Sequence, residues 1–286
     1  MNDVIVKTVS FEAKELQVRK DLPVLGFAAV VARRNSGKTS WIKNVLARMS
    51  QKIDLLVVVG GSRGACESLG IHTNEFFVME GWQENKVSQM LKSQQLRILK
   101  KDWVPTMLFV FDDLAFSSEF THSKVLRELA FNGRHANCGV ILSSQRLRSI
   151  PPNLRANFTS LTLFQTVDKE EIEAYFHLVS GLNRPHFVGM LKLATENYGA
   201  LTVLLDTGVG LESMRVSRFA YRPHLDFLCL SEKIQRACEK QLKGSSDFRR
   251  EKIAKLAKEV ELGQDGENGK GKKKKIVEAY TLKLLR

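Results

Sequence analysis

The 286-residue chain lacks the features that mark disulfide-bonded, zinc-binding or membrane-spanning proteins. Its four cysteines are far apart without a Cys-x-x-Cys pair, and its six histidines show no ligand spacing, which argues against a disulfide framework and a zinc site. No apolar run approaches the roughly twenty residues that cross a bilayer, and the first residues show no signal-peptide pattern. We therefore expect a protein of a reducing compartment that is not secreted and has no transmembrane segment.

Acidic residues are also in short supply. There are 44 Lys and Arg against 31 Asp and Glu, a net charge of +13 at pH 7. Such a surface attracts polyanions and loses this attraction as salt is raised, so nucleic acid is the expected partner. The part from residue 231 onward has 16 Lys and Arg against 9 Asp and Glu, a surplus of 7. More than half of the net charge therefore lies in the last fifth of the chain.

A phosphate-binding motif is the most informative feature that is present. An apolar segment at 25–31 runs into Asn-Ser-Gly-Lys-Thr, and a segment with helical spacing follows. In a P-loop, successive backbone N–H groups and a helix N-terminus point at phosphate oxygens. Alanine replaces the first glycine of the pattern, and its methyl group is expected to restrict the turn. The predicted residues for binding ATP are Ala32, Arg33, Arg34, Asn35, Ser36, Gly37, Lys38, Thr39 and Ser40.

A second motif supports the first. Residues 106–113 form an apolar segment that ends in Asp112 and Asp113, which is typical of a Walker B strand. Because Mg²⁺ prefers oxygen ligands, we predict that Asp112 and the hydroxyl of Thr39 hold a Mg²⁺ ion that bridges the triphosphate. Asp113 is predicted to orient or deprotonate the attacking water, although glutamate is commoner at this place.

A third apolar segment, residues 139–145, follows a predicted helix over 121–132 and ends in Gln145. Ligands of open α/β sheets bind outside the carboxyl ends of the strands. An amide at this edge can bind the γ-phosphate or the attacking water, so Gln145 is a candidate sensor. The alternative is an ordinary glutamine at a strand end.

The order of these segments predicts the fold class. Apolar strands alternate with helical stretches, which favours an α/β fold of the RecA-like P-loop NTPase type with a mostly parallel sheet covered on both faces. We expect an edge strand over 4–12 and a closing hairpin from 199–206 and 214–220. The ATPase domain is predicted to span residues 1–222. A basic C-terminal extension over 223–286 is predicted to be helical to about 262, followed by a flexible Gly- and Lys-rich linker and a short terminal helix.

The motifs together resemble a known family. The P-loop and the paired aspartates are followed by Asn-Gly-Arg-His at 132–135, Ser-Ser-Gln at 143–145 and Ile-Pro-Pro-Asn-Leu-Arg-Ala-Asn at 150–157. This set is similar to the genome-packaging ATPases of large eukaryotic DNA viruses, within the FtsK–HerA superfamily. The resemblance covers residue 25 to about residue 205. It implies a ring-forming motor that pushes double-stranded DNA into a preformed capsid.

The resemblance also implies partners and further catalytic residues. Arg134 and Arg155 match family arginines, and one of them is expected to act as an arginine finger on a neighbour's γ-phosphate, with Arg134 favoured. The alternative for each is a surface ion pair or a contact to the DNA backbone. Expected partners are double-stranded DNA, a ring of five or six copies and a capsid or portal-vertex protein, with no small-molecule substrate beyond ATP. The expected location is the virion or the host-cell cytoplasm.

Other functions fit part of the sequence. A HerA-type or conjugative DNA pump would carry similar core motifs. A scaffold that binds nucleotide without hydrolysing it would account for the departures at Ala32 and Asp113. A phage terminase would need clustered acids after residue 222, where the chain is short and basic. A small-molecule kinase would have no evident use for the charge of +13.

Overall fold

The computed structural model describes residues 14–179, 183–206, 211–219 and 227–240. By its internal contacts the chain divides into two units, residues 1–235 and 236–286. The predicted edge strand over 4–12 lies outside the described residues, as do the predicted linker and terminal helix of the extension.

The first unit is built on one mixed, mostly parallel sheet, which confirms the predicted fold class. In the described residues of this unit the sheet has nine strands: β1 (Lys14–Glu15), β2 (Phe27–Val31), β3 (Leu55–Gly60), β4 (Val78–Glu80), β5 (Met107–Asp112), β6 (Cys138–Ser144), β7 (Ser160–Leu163), β8 (Ala200–Leu204) and β9 (Met214–Ser217). They lie in the order β1-β9-β8-β7-β2-β6-β5-β3-β4. Among the described strands, β8 alone runs against its neighbours, β7 and β9.

Helices connect the strands. They are α1 (Val18–Asp21), α2 (Lys38–Met49), α3 (Arg63–Gly70), α4 (Glu84–Leu99), α5 (Ser118–Thr121), α6 (Lys124–Asn132), α7 (Pro152–Arg155), α8 (Lys169–Leu178) and α9 (Arg184–Thr195). No helix in the described ranges is long and apolar enough to span a membrane.

Apolar side chains cover both faces of the sheet. Along β5, Phe109 and Phe111 belong to one buried cluster, whereas Leu108 and Val110 belong to a second. Successive side chains of a strand point to opposite faces, so the two clusters lie on opposite sides of the sheet. This explains why β3, β5 and β6 are buried along their whole length and have the continuous apolar sequences of parallel strands.

Several predicted elements differ in detail. The helix expected over 121–132 is two helices, because the Ser123 hydroxyl accepts hydrogen bonds from the N–H groups of Val125 and Leu126 at 3.1 and 3.2 Å and so begins α6. A short 3-10 helix over residues 75–77, which the sequence did not indicate, leads directly into β4 at Val78. The predicted hairpin forms from β8 and β9, but β1 pairs in parallel outside it.

The first unit extends beyond the segment that the sequence assigns to the ATPase domain. The N–H of Leu56 donates to the carbonyl of Cys229 at 3.0 Å, and the N–H of Ser231 donates to the carbonyl of Asp54 at 2.8 Å. These bonds join residues 229–231 to the start of β3. The boundary near residue 222 stays a prediction.

Candidate functional site

The three sequence motifs meet at one edge of the sheet. β2 lies beside β6, with Val31 opposite Ser144, and β6 lies beside β5, with Ser143 opposite Asp112. Since these strands are parallel, their carboxyl ends lie at the same edge. The loop after β2, the aspartates that end β5 and the serines that end β6 therefore face one another, as ligand sites in open α/β sheets do.

The phosphate loop turns through two left-handed residues. Asn35 has a φ of 59° and Gly37 a φ of 90°, a conformation that glycine enters at little steric cost and asparagine more readily than most residues. Gly37 is the N-cap of α2, and its carbonyl accepts the first intrahelical bond, from Trp41 N–H at 2.9 Å. The first N–H groups of a helix have no intrahelical acceptor, so the start of α2 presents donors to an anion.

Ala32 does not disturb this loop. Its N–H donates to the carbonyl of Ser144 at 3.0 Å and so continues the pairing of β2 with β6. Its methyl group is buried in the apolar cluster of α2, and its φ is not positive. The expected restriction at Ala32 is therefore wrong, because the residues that need left-handed backbone are Asn35 and Gly37.

Lys38 lies between the two aspartates. Its ammonium donates a hydrogen bond to Oδ1 of Asp113 and is 3.6 Å from Oδ1 of Asp112. The side chains of Lys38 and Asp112 are 8% and 5% exposed, whereas that of Asp113 is 34% exposed. Two carboxylates and one ammonium thus form a compact polar group in which Asp113 is the most open member.

Ser143 belongs to the Ser-Ser-Gln motif, but the sequence analysis assigned it no role. Its fully buried hydroxyl donates to Oδ1 of Asp112 and accepts the N–H of Asp113 at 3.1 Å. One side chain therefore orients both acids. The signal was present in the sequence, because Ser143 and Ser144 end a strand that is otherwise apolar, but the strand order was needed to place them beside β5.

The backbone of Asp113 is also held in place. Asp113 has a φ of 54°, which is uncommon outside glycine and asparagine. A Cβ atom on Gly61 would lie 2.5 Å from the carbonyl oxygen of Asp113, and the N–H of Gly61 donates to the carbonyl of Asp112 at 2.8 Å. The missing side chain at Gly61 thus lets the chain turn sharply after β5.

Two cavities share Asp113. The larger has a volume of about 870 Å³ and is lined by Arg33, Arg34, Asn35, Ser36, Gly37, Lys38, Thr39, Ser40, Trp41, Asp113, Asn197, Tyr198, Arg218 and Phe219. The smaller, of about 340 Å³, is lined by Asp113, Ala115, Phe116, Ser144, Gln145, Arg146 and Ser149. The structure therefore brings together eight of the nine predicted nucleotide-binding residues with Asp113, and places Gln145 beside Asp113 on the other side. Ala32, the ninth predicted residue, is buried in the apolar cluster and does not line the cavity.

The two candidate arginines lie away from this cavity. Arg134 is exposed in a 3-10 helix, Gly133–Ala136, just before the amino end of β6. The seven residues of β6 put about 20 Å between that end and the site edge. Arg155 ends α7 shortly before β7, and its buried Nε has no hydrogen bond among the described residues. Neither arginine lines either cavity described above.

The thiols do not add a nucleophile to the site. All four cysteines are free and buried. Burial raises the pKa of the Cys66 thiol, and the charges of Glu80 and Asp112 raise it further. Cys66 therefore stays protonated at neutral pH. Within the described ranges, no group of three or more His, Cys, Asp or Glu is placed to hold a metal ion.

Two curated viral proteins are similar in sequence. "Uncharacterized protein 015R" of Frog virus 3 (isolate Goorha) is 23% identical over 198 residues, which cover 68% of this chain and 60% of that protein. "Uncharacterized protein 075L" of Invertebrate iridescent virus 6 is 24% identical over 178 residues, 61% of this chain and 67% of that protein. The chain thus spans about 60% of the length of the Frog virus 3 relative.

Solved structures of one archaeal virus protein share the fold. The genome packaging NTPase B204 from Sulfolobus turreted icosahedral virus 2, in complex with AMPPCP, superposes with a TM-score of 0.53 at 15% identity, covering 70% of this chain and 100% of B204. The same protein with ATP-gammaS gives a TM-score of 0.51 at 15% identity, covering 71% and 100%. At 15% identity, these superpositions show that the two proteins share a fold.

A family model settles the relationship that the motifs suggest. The model described as "Poxvirus A32 protein" matches residues 17–205, which is more than half of the chain and includes the phosphate loop, the paired aspartates and the strand that ends in Ser143 and Ser144. The chain belongs to the Poxvirus A32 protein family.

Proposed function

We propose that this protein is a Mg²⁺-dependent ATPase that drives double-stranded DNA into a viral capsid. The observation that carries the proposal is the ammonium of Lys38 between Asp112 and Asp113, at the start of a helix whose first N–H groups face an 870 Å³ cavity. A cationic donor, a helix N-terminus, a buried carboxylate and a more exposed one at one sheet edge are what a nucleoside triphosphate with Mg²⁺ requires.

The residues present fit both a nucleoside triphosphate and a Mg²⁺ ion. Gly37 and the first turn of α2 supply backbone donors, and Lys38 supplies the positive charge for the β- and γ-phosphates. Thr39 and Asp112 supply oxygen ligands, which suit a hard cation that takes its remaining ligands from phosphate and water. When bound, Mg²⁺ neutralises charge that develops on the phosphates. Asp112 is held for this role by the hydroxyl of Ser143.

The hydrolytic end of the site is proposed to lie at Asp113. This carboxylate is the more exposed of the pair and lies where the two cavities meet. A water in the smaller cavity would have Asp113 as its acceptor and Gln145 as a second polar partner. The geometry thus supports the roles that the sequence suggests for both residues, since a catalytic base must be within hydrogen-bond reach of the proton it takes.

The arginine finger is proposed to come from a neighbouring subunit. Because β6 separates Arg134 from its own site by about 20 Å, this guanidinium can reach only the site of another copy. That requirement supports a ring, which we propose to contain five or six copies. Arg155 is the alternative finger, since it is the other arginine that the family resemblance marks and it lines neither cavity of its own copy.

DNA is the proposed second substrate. The charge of +13 supports a polyanionic partner, and B204, whose fold this chain shares, is described as a genome packaging NTPase. Arg146 and Arg148 are exposed near the carboxyl edge of the sheet, although Arg148 forms an ion pair with Glu170 at 2.6 Å. Packaging further implies contact with a capsid or portal-vertex protein, and action in the virion or the host-cell cytoplasm.

The test is ATP hydrolysis by the full chain at low salt, with and without long double-stranded DNA and over a range of protein concentrations. We expect DNA to stimulate turnover, and Lys38→Ala to abolish it in both conditions. Nucleotide binding without turnover, with DNA present at every protein concentration, would contradict the proposal and favour a scaffold. Turnover with unwinding of a forked duplex would favour a HerA-type helicase instead.

A further inference from the structure

We propose that Tyr198 forms a nucleoside subsite in the larger cavity, with its ring stacking on the base of the bound nucleotide. This inference rests on the proposed nucleotide site and adds a residue that no sequence motif marks. The juxtaposition that carries it is an exposed aromatic ring beside the phosphate loop, at the end of the cavity away from the aspartates.

The cavity has two chemically different ends. At one end lie Lys38 and Asp113. At the other lie side chains from the turn before β8 and from the end of β9, with the ring of Trp41 behind them. A nucleotide has the same division, with charge on the phosphates and a flat apolar face on the base. With the phosphates on the loop and the terminal one toward Asp113, the base must lie toward the aromatic end.

The topology of the sheet determines where the aromatic end of the cavity lies. β7 and β8 are antiparallel, with Leu163 opposite Leu201, so β8 starts at the edge where β7 stops. β9 ends at the same edge, with Ser217 opposite Ala200. Because β7 lies on the side of β2 away from β5, the turn before β8 flanks the phosphate loop on the side opposite the aspartates.

The turn before β8 holds Tyr198 in an uncommon conformation. Asn197 and Tyr198 have φ values of 53° and 60°, and such residues persist only where their surroundings determine them. A Cβ atom on Gly199 would lie 2.2 Å from the carbonyl oxygen of Ala194, so glycine is needed for the chain to pass so close to the end of α9. This backbone leaves the side chain of Tyr198 75% exposed.

The ring is next to the phosphate loop. A Cβ atom built on Gly37 would be 3.8 Å from Cδ1 of Tyr198 and 4.0 Å from Cε1 of Phe164. Tyr198 is three quarters exposed and its ring lies next to Gly37, so the ring is placed to cover a nucleoside bound to the phosphate loop.

The wall behind the subsite is aromatic. The indole N–H of Trp41 donates to the hydroxyl of Ser217 at 2.9 Å, and the rings of Trp41 and Phe219 are 6.2 Å apart. The guanidinium of Arg48 lies 4.4 Å from the centre of the Phe219 ring. Arg218 is tied to α9 by a hydrogen bond to the carbonyl of Leu193 at 3.1 Å. A base between Tyr198 and this wall would be shielded from water.

Binding of ATP and of inorganic tripolyphosphate, each with Mg²⁺, tests the subsite in the full chain. Tripolyphosphate has the charges of ATP but no nucleoside. We expect Tyr198→Ala to weaken ATP binding by about 5- to 100-fold, the range for loss of one aromatic stacking partner, and to leave tripolyphosphate binding within about 2-fold of wild type. Tyr198→Phe keeps the ring and is expected to bind ATP as wild type does.

Two further variants distinguish failure of the nucleoside subsite from failure of the nucleotide site as a whole. Phe131→Ala removes an exposed aromatic ring outside the cavity and is expected to change neither affinity. Lys38→Ala is expected to weaken the binding of both ATP and tripolyphosphate. If wild type binds neither ligand, the nucleotide site itself is overturned. If Tyr198→Ala binds ATP as wild type does, or loses both ligands equally, only the subsite is overturned, since an equal loss means that the ring merely supports the phosphate loop.

Discussion

Lys38 donates a hydrogen bond to the carboxylate of Asp113, a residue 75 positions further along the chain. The positively charged ammonium is also the partner that a γ-phosphate needs. A triphosphate on the loop therefore competes with Asp113 for Lys38. Movement of Lys38 toward phosphate would leave the carboxylate of Asp113 able to accept a proton from water, which links phosphate binding to activation of the base.

Loss of the Lys38 ammonium should remove turnover and leave the fold. For Lys38→Ala we expect hydrolysis to fall by about 10²-fold or more, since one donor to transition-state charge is lost. Because the buried carboxylate of Asp112 also loses a nearby cation, the thermal midpoint should fall. Hydrolysis rates with circular dichroism melting check both. Unchanged hydrolysis in a folded variant would show that Lys38 has no role in catalysis.

Asp113 can be neutralised without disturbing the backbone. Asparagine accepts the positive φ that Asp113 adopts, so Asp113→Asn should keep ATP affinity while hydrolysis falls by roughly 10²- to 10⁴-fold, the usual contribution of a general base. Equilibrium binding and single-turnover hydrolysis separate the two effects. The matched control is Asp168→Asn, at the N-cap of α8 and outside both cavities. Turnover within 2-fold of wild type, about 0.4 kcal/mol, would rule out the base role.

Ser143 should matter through the acids that it holds. Ser143→Ala leaves the buried Asp112 carboxylate and the Asp113 N–H without this partner, so we expect unfolding free energy to fall by about 1–3 kcal/mol. The Mg²⁺ concentration for half-maximal hydrolysis should rise by about 10- to 100-fold, as when partners of metal ligands are removed. The control is Ser160→Ala, a buried serine at the far end of β7. A stability loss with an unchanged Mg²⁺ requirement would limit Ser143 to a structural role.

An arginine that acts on a neighbour can be recognised by mixing variants. We expect Arg134→Ala to lower DNA-stimulated hydrolysis by about 10³-fold or more and to bind ATP normally. Mixed with inactive Lys38→Ala protein, it should recover activity, because an intact site then meets an intact arginine across a shared interface. Arg127→Ala, which removes another exposed arginine nearby, is the control. If only Arg155→Ala behaves in this way, the finger is Arg155.

The basic C-terminal segment should contribute to DNA binding without entering the ATPase site. Deleting residues 263–286 is expected to lower DNA affinity and to reduce the dependence of that affinity on salt, because fewer phosphate counterions are released. Hydrolysis without DNA should be unchanged. Binding measured at several salt concentrations checks this, and a variant with the four lysines at 272–275 changed to glutamine separates charge from length. DNA binding that is unaltered at every salt concentration would remove the segment from the DNA-binding account.

Local patterns along the chain were sufficient to predict the parallel core and the motif residues. β2, β3, β5 and β6 are largely buried on both faces, so each contains an apolar run that is visible without a structure, although β5 ends in Asp112 and β6 in two serines. The phosphate loop and the paired aspartates follow such strands directly. Boundaries were less accurate where one side chain decides them, as Ser123 does by capping α6.

Contacts between distant residues needed the tertiary structure. Ser143 touches both acids only because β6 lies beside β5 in register, and Tyr198 flanks the loop only because β8 starts at the edge where β7 stops. The Ser-Ser-Gln motif assigns Ser143 no role by itself, Tyr198 belongs to no motif, and strand order cannot be deduced from the apolar pattern of each strand alone. The residue types at 32–40 and 112–113 by themselves predict phosphate binding and metal binding. The side chains that orient those acids and cover the nucleoside were chosen by how the sheet is assembled.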